Sequence, residues 1–234
     1  MQIKVLASGS KGNAYLVDDG KTPLLIECGI PFKALQRKLW DAGYKLSDLS
    51  GCLVSHAHDD HSRAVKDLLK AGVDCYMSIL TARELRVANH HRVKIDNGLN
   101  YWIINKWFIN YFLAVHDVPC FGFIISSGNE RLLYMSDSAY SPYRFPGLTR
   151  IMIGCNYSLD ILNDNIEKGI VPREQKSRLL HSHASLETVK ELLLANDLSK
   201  LKEIWLIHLS DRNADEERFK REVAEIVGVP VYVS

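Results

Sequence analysis

The sequence contains no apolar run approaching the roughly 18 residues that a membrane-spanning helix needs. Its opening, MQIKVLASGSKG, also lacks the long apolar core of a secretory leader, so the expectation is a cytoplasmic protein. There is no CxxC pair. The five cysteines, Cys28, Cys52, Cys75, Cys120 and Cys155, are odd in number and widely scattered, which argues against a disulfide framework or a thiolate zinc site. They read instead as small buried hydrophobes. Internal repeats, low-complexity tracts and long Pro/Gly/Ser linkers are missing as well, so one domain over residues 1–234 is expected. An excess of one charge is lacking too. Lys plus Arg number 29 against 28 Asp plus Glu, a net charge of +1, so no global field draws nucleic acid or acidic lipid and any polyanion must be met locally.

What is present is a succession of short apolar, β-branched runs punctuated by Gly, Asp and Ser. IKVLAS, AYLVDD, PLLIEC and GCLVSH read as strands in the first quarter. Helical spacing appears from Phe32 to Trp40, with Leu35 and Leu39 on one face, and again from about Ser62 to Ala71. The centre returns to strands with VDCYMS, YWIIN, WFINYFLAV, CFGFIISS, RLLYMS and RIMIGC. The last third alternates: a helix from Leu186 to Asn196, the strand EIWLIHLS, a helix opened by Asn213 with Glu216 as a capping box, and the strand VPVYVS. Two strand-rich halves that each carry helices predict an α/β (α+β) chain arranged as a four-layer αββα sandwich.

The chemistry concentrates in SHAHDDH, residues 55 to 61, where His56, His58, Asp60 and His61 follow a strand. Neutral imidazoles and a carboxylate are ligands that zinc prefers, and a strand end lets alternate side chains converge. Alternation groups His56 with His58 and sends Asp60 and His61 elsewhere, as expected if they serve a second ion. The plain alternative is a solvated loop with Asp59 or Asp60 capping a helix.

This run resembles the HxHxDH signature of the metallo-β-lactamase superfamily. The resemblance implies three further ligands in order, each after a strand: His116 in FLAVHDVP, Asp137 in LLYMSDS and His208 in WLIHLSD. It implies that His56, His58 and His116 hold one divalent ion, Zn²⁺ or Mn²⁺, that Asp60, His61 and His208 hold another, and that Asp137 bridges them. Two ions so held would lower the pKa of a bridging water to give a hydroxide nucleophile and would polarise a phosphoryl or carbonyl oxygen. Asp60 and His183 are the catalytic candidates. His183, ahead of a helix in SRLLHSHASLETV, is placed similarly to a histidine that assists at the scissile phosphate in tRNase Z type phosphodiesterases. A surface histidine near an N-cap at Ser185 is the other reading.

The opening VLASGSKGNAYLV, CNYS and the tail QKSRLLHSHAS to IHLSDRNAD resemble the YycJ/WalJ-like exonuclease branch over nearly the whole chain. That resemblance implies a 5′ to 3′ nuclease whose partner is a nucleic acid, single-stranded or short because no large clamping insertion is visible. It leaves the oligomeric state open, a dimer included. Arg178 and Asn156 are the substrate-binding candidates. Lys33, Arg37, Lys38 and Lys176 read mainly as solvated helix faces, the aromatics of YWIINKWFINYF mainly as core, and His90 and His91 as surface. Two departures stand out: LIECG places Glu27 and Cys28 where such proteins usually have Asp and Ala, and GCNYS retains only the asparagine of an EANHD-like segment. A small-molecule hydrolase of the same fold, acting on a cyclic phosphodiester, thioester or lactone, is the alternative.

Overall fold

The computed structural model describes residues 1–96 and 98–234. The chain divides into two compact units, Met1–Phe112 with Val118–Phe121 and Ile125–Gly128, and Leu113–Asp117 with Gly122–Ile124 and Asn129–Ser234. Its described strands form two sheets.

The first unit opens with β1 (Gln2–Ala7), β2 (Ala14–Asp18) and β3 (Leu24–Ile26), which pair antiparallel. After α1 (Phe32–Asp41), β4 (Cys52–Leu53) joins β3 in parallel. Two short helices, α2 (Asp59–Ser62) and α3 (Val65–Lys70), lead to β5 (Cys75–Met77); α4 (Ile79–Glu84) then leads to β6 (Val93–Ile95), and both strands continue the parallel run. Leu35 and Leu39 of α1, Val65 and Leu68 of α3, and Leu16 and Leu25 of the sheet fill one core with Cys28, Cys52 and Cys75. The hairpin β7 (Tyr101–Ile104) and β8 (Trp107–Ala114) buries Trp102, Trp107 and Tyr111, so most of the aromatic run is core.

β9 (Cys120–Ser127) is divided between the units along its length. In the second unit β10 (Glu130–Met135), β11 (Arg150–Gly154), β12 (Glu203–Ile207) and β13 (Val231–Val233) pair successively in parallel. Runs such as Ile151–Ile153 are buried without alternation, which parallel strands covered on both faces require. The connections carry α5 (Leu159–Glu167), α6 (Arg173–Ser182), α7 (Leu186–Leu194) and α8 (Glu216–Val227). Among the described residues no helix is long and apolar enough to cross a membrane.

The expected α/β class with two sheets is met, and several boundaries move. α8 starts at Glu216 with Asp215 as its N-cap, accepting the Arg218 N–H, whereas Asn213 is buried and accepts from the Asn165 amide at 2.9 Å. The Asn213 capping box is therefore corrected: a buried polar side chain with an internal partner has no need of a helix end. The helix expected from Ser62 splits into α2 and α3, which places His61 inside a helical turn. α4, α5 and α6 were not expected: α4 has only six residues and α6 buries a single side chain, whereas α5 has no comparable reason.

Candidate metal centre

In the first unit the SHAHDDH loop is stitched to its neighbours by backbone bonds. Asn13 donates to the Asp60 carbonyl at 2.8 Å, Cys28 to the His61 carbonyl at 2.9 Å, and Ala64 to the Cys28 carbonyl at 2.9 Å. Gly29 permits this approach, since a Cβ there would lie 1.7 Å from the Asp60 carbonyl oxygen. His56 and His61 are fully buried. His56 Nε2 lies 3.0 Å from His58 Nδ1, and its ring centroid is 4.7 Å from that of His58 and 4.3 Å from that of His61. His61 therefore returns toward His56 rather than pointing away, because α2 begins at Asp59 and helical turning replaces strand alternation. His58 occupies the N-cap position without a side-chain cap bond, so Asp59 and Asp60 are not capping residues.

Asn13 fixes the His61 ring. Its Oδ1 accepts from the Gly9 N–H at 3.0 Å and the Tyr15 hydroxyl at 2.9 Å, which leaves Nδ2 facing His61 Nε2 at 3.2 Å. A nitrogen that receives an N–H must present a lone pair, so the ring proton belongs on Nδ1, 3.5 Å from a Glu27 carboxylate oxygen. A metal-binding histidine typically gives its other N–H to a carboxylate, and Glu27 is the carboxylate that faces His61 Nδ1. Glu27 is itself buried, sits at φ 60 and accepts the Ser55 N–H at 3.3 Å with each oxygen. The longer side chain thus reaches the loop. Asp60 Oδ2 lies 3.6 Å from His61 Nε2.

In the second unit one carboxylate is ringed by imidazoles. Asp137 Oδ2 is 3.2 Å from His183 Nε2 and 3.9 Å from His116 Nε2, while Oδ1 is 3.6 Å from His208 Nε2. Ser136 donates its hydroxyl to Asp137 Oδ1 at 2.7 Å. Gly154 on β11 allows the close packing here, because a Cβ would fall 2.0 Å from the Ser136 carbonyl oxygen. Asp137, His183 and His208 offer ligand atoms that all lie within 4.8 Å of one another.

His116 gives Nδ1–H to the Ser182 carbonyl at 2.8 Å, so its Nε2 presents a lone pair, 3.0 Å from an Asp117 oxygen. Two lone-pair bearers at that distance require a cation or a proton between or beside them. Burial above all pushes the His116 pKa down and so favours the neutral ring that binds metal, against the opposing pull of Asp137. Buried imidazoles and convergent carboxylates are a donor set that fits a divalent ion with nitrogen and oxygen ligands.

Asn156 is buried, with Nδ2 2.9 Å from the His208 carbonyl and 3.2 Å from its Nδ1. Arg178 is 67% exposed, and its Nε meets Asp117 Oδ2 at 3.2 Å. Lys176 bonds Asn163 at 2.7 Å, His91 is exposed and His90 is half-buried. Sequence reasoning assigned no role to Asn13, Ser55, Asp117 or Ser182. For Asn13 a usable signal existed, an asparagine directly ahead of a buried strand.

Residues 7–92 match the model of the Metallo-beta-lactamase superfamily. The chain is 27% identical over 228 residues to "Exodeoxyribonuclease WalJ" of Streptococcus pneumoniae, covering 91% of this chain and 83% of that protein. It is 25% identical over 251 residues to "Exodeoxyribonuclease YycJ" of Bacillus anthracis, covering 97% and 89%. Among solved structures, the metallo-beta-lactamase fold protein YhfI from Bacillus subtilis superposes with a TM-score of 0.75 at 17% identity, over 99% of this chain and 95% of that one.

Proposed function

From the premise that this chain has the metallo-β-lactamase fold, we propose that residues 1–234 form one domain and act as a metal-dependent phosphodiesterase, an exonuclease-like enzyme of 5′ to 3′ polarity. The substrate is a nucleic acid, single-stranded or short. The observation that carries the hydrolytic part is the Asp137 carboxylate facing ring nitrogens of His116, His183 and His208. Relatives named as exodeoxyribonucleases, aligned over most of both chains, support the nucleic-acid part.

In this reading, which follows the family resemblance, His56, His58 and His116 would hold one divalent ion, Asp60, His61 and His208 would hold a second, and Asp137 would serve both. When bound, Zn²⁺ or Mn²⁺ supplies an activated water and a Lewis acid for the phosphoryl oxygens. The chain's own residues do the rest. Asn13 and Glu27 flank the His61 ring at 3.2 Å and 3.5 Å and fix its orientation. Asn156, whose amide donates to the His208 carbonyl, serves to hold that segment of backbone rather than to contact substrate. His183, 15% exposed at its side chain, is open enough to meet the leaving oxygen, and in its doubly protonated form it gives that oxygen the Nε2 proton while keeping the one on Nδ1. Arg178 is exposed and Asp117 steadies its Nε, which leaves its remaining N–H groups for a phosphate.

The test is to measure bound metal in the purified protein and assay single-stranded DNA, RNA, a cyclic phosphodiester and a thioester with Zn²⁺ or Mn²⁺. Release of nucleotides from a 5′ end is the expected outcome. Thioester cleavage without phosphodiester cleavage would overturn the proposal in favour of a small-molecule hydrolase.

A further inference from the structure

Ser182, the last residue of α6, is completely buried and touches two of the histidines described above through different atoms. Its backbone carbonyl accepts from His116 Nδ1 at 2.8 Å. Its hydroxyl donates to the Arg178 carbonyl one helical turn earlier, at 2.7 Å, and lies 2.7 Å from His183 Nδ1. A serine hydroxyl has one hydrogen. Two oxygens 2.7 Å apart need that hydrogen between them, so Oγ can face His183 only with a lone pair. Nδ1 must then be the donor.

We infer that Ser182 is a positioning residue that sets the proton of both rings on Nδ1, His116 through its carbonyl and His183 through its hydroxyl. The inference rests on the function proposed above, in which His183 acts through Nε2. The hydrogen-bond chain runs from His183 Nδ1–H to Ser182 Oγ and from Ser182 Oγ–H to the Arg178 carbonyl. It leaves His183 Nε2 as the atom aimed at Asp137 Oδ2, 3.2 Å away. The chain also ties His183 to the residue whose side chain meets Asp117 at 3.2 Å, so the same turn of α6 orients a proton-transfer group and a candidate phosphate contact.

The two holds are chemically separable. Ser182→Ala removes the hydroxyl and keeps the carbonyl, so it should disturb His183 and spare His116; Ser182→Thr keeps both. The experiment is long-range proton–nitrogen correlation on the zinc-loaded protein with ¹⁵N-labelled histidine, together with turnover of bis(p-nitrophenyl) phosphate. The wild type is expected to show His183 and His116 protonated on Nδ1. In S182A the His183 pattern should change and the His116 pattern persist, with kcat down roughly tenfold, the scale seen for loss of an orienting partner. KM and bound zinc should stay unchanged, and S182T should restore both spectrum and rate. A wild-type His183 carrying its proton on Nε2 alone overturns the inference, and no folded variant is needed to see it. So does an S182A protein with unaltered His183 signals and kcat, or one that loses zinc. If the wild type cleaves no phosphodiester, the function proposed above fails, and the nitrogen spectrum still decides the tautomer by itself.

Discussion

Asn156 holds His208 twice: one amide group lies 2.9 Å from the carbonyl and 3.2 Å from the ring nitrogen of a residue at φ 55. A non-glycine residue in the left-handed region costs of order 1–3 kcal/mol and persists only where its surroundings over-determine it. Replacing Asn156 with Asp sets a carboxylate against the carbonyl it now donates to, whereas Ala merely deletes the bond. Both variants should lower Tm, Asn156→Asp more, with about 1–3 kcal/mol expected for a buried carbonyl left unpaired. For a chain of this length that corresponds to roughly 2–12 °C by thermal unfolding. Equal Tm values for Asp and Ala would show that Nδ2 is not the atom facing His208.

Asp137 and His183 should separate cleanly. Asp137→Ala removes the carboxylate at the centre of the imidazole ring and is expected to abolish bound metal and activity together. His183→Ala should retain metal while kcat falls by about 10²–10⁴, the range for loss of a general acid. Elemental analysis alongside steady-state kinetics distinguishes them. Unchanged turnover in His183→Ala removes the role given to it.

Glu27 accepts the Ser55 N–H with both carboxylate oxygens and brings one of them to 3.5 Å from His61 Nδ1. Glu27→Asp should fail to span that distance from a backbone fixed at φ 60, and Glu27→Gln should place a neutral amide where a carboxylate faces His61 Nδ1. Each is expected to weaken metal affinity about 10- to 100-fold by competition with a chelator, the usual cost of losing such a partner.

Glu130 gives a pH prediction away from the metal residues. Burial pushes its carboxyl up, but hydrogen bonds from Lys202 and Thr149 and the charge of Arg150 prevail and bring it down to about 2. A depressed carboxylate contributes stability above its ordinary value, given up as pH falls from about 4.5 through about 2. Glu130→Gln should therefore melt below the wild type at pH 7, and the two curves should converge as pH falls through that window. A gap that persists at pH 2 would assign the loss to packing instead.

The strands were largely legible because buried parallel strands write themselves as unbroken apolar runs, as in RIMIGC and EIWLIHLS. The helices were less so: α6, REQKSRLLHS, has a single buried residue, Ser182, and no apolar stripe to announce it. At the metal residues, ligand type was readable from SHAHDDH, yet ring direction was not. The turn of α2 that swings His61 back toward His56 depends on backbone bonds to Asn13 and Cys28, distant in sequence. Likewise nothing in QKSRLLHSHAS reveals which histidine nitrogen meets Ser182.

Glu27 and His208 both sit in the left-handed region, at φ 60 and 55, at the ends of buried strands. Glycine would relax the backbone at either position, and thermostability selection carried out without an activity screen would be drawn to them. Both side chains are buried and bonded, so the strain relieved by glycine is set against a cavity and an orphaned donor. Melting temperature and bound metal therefore have to be scored together when this protein is engineered.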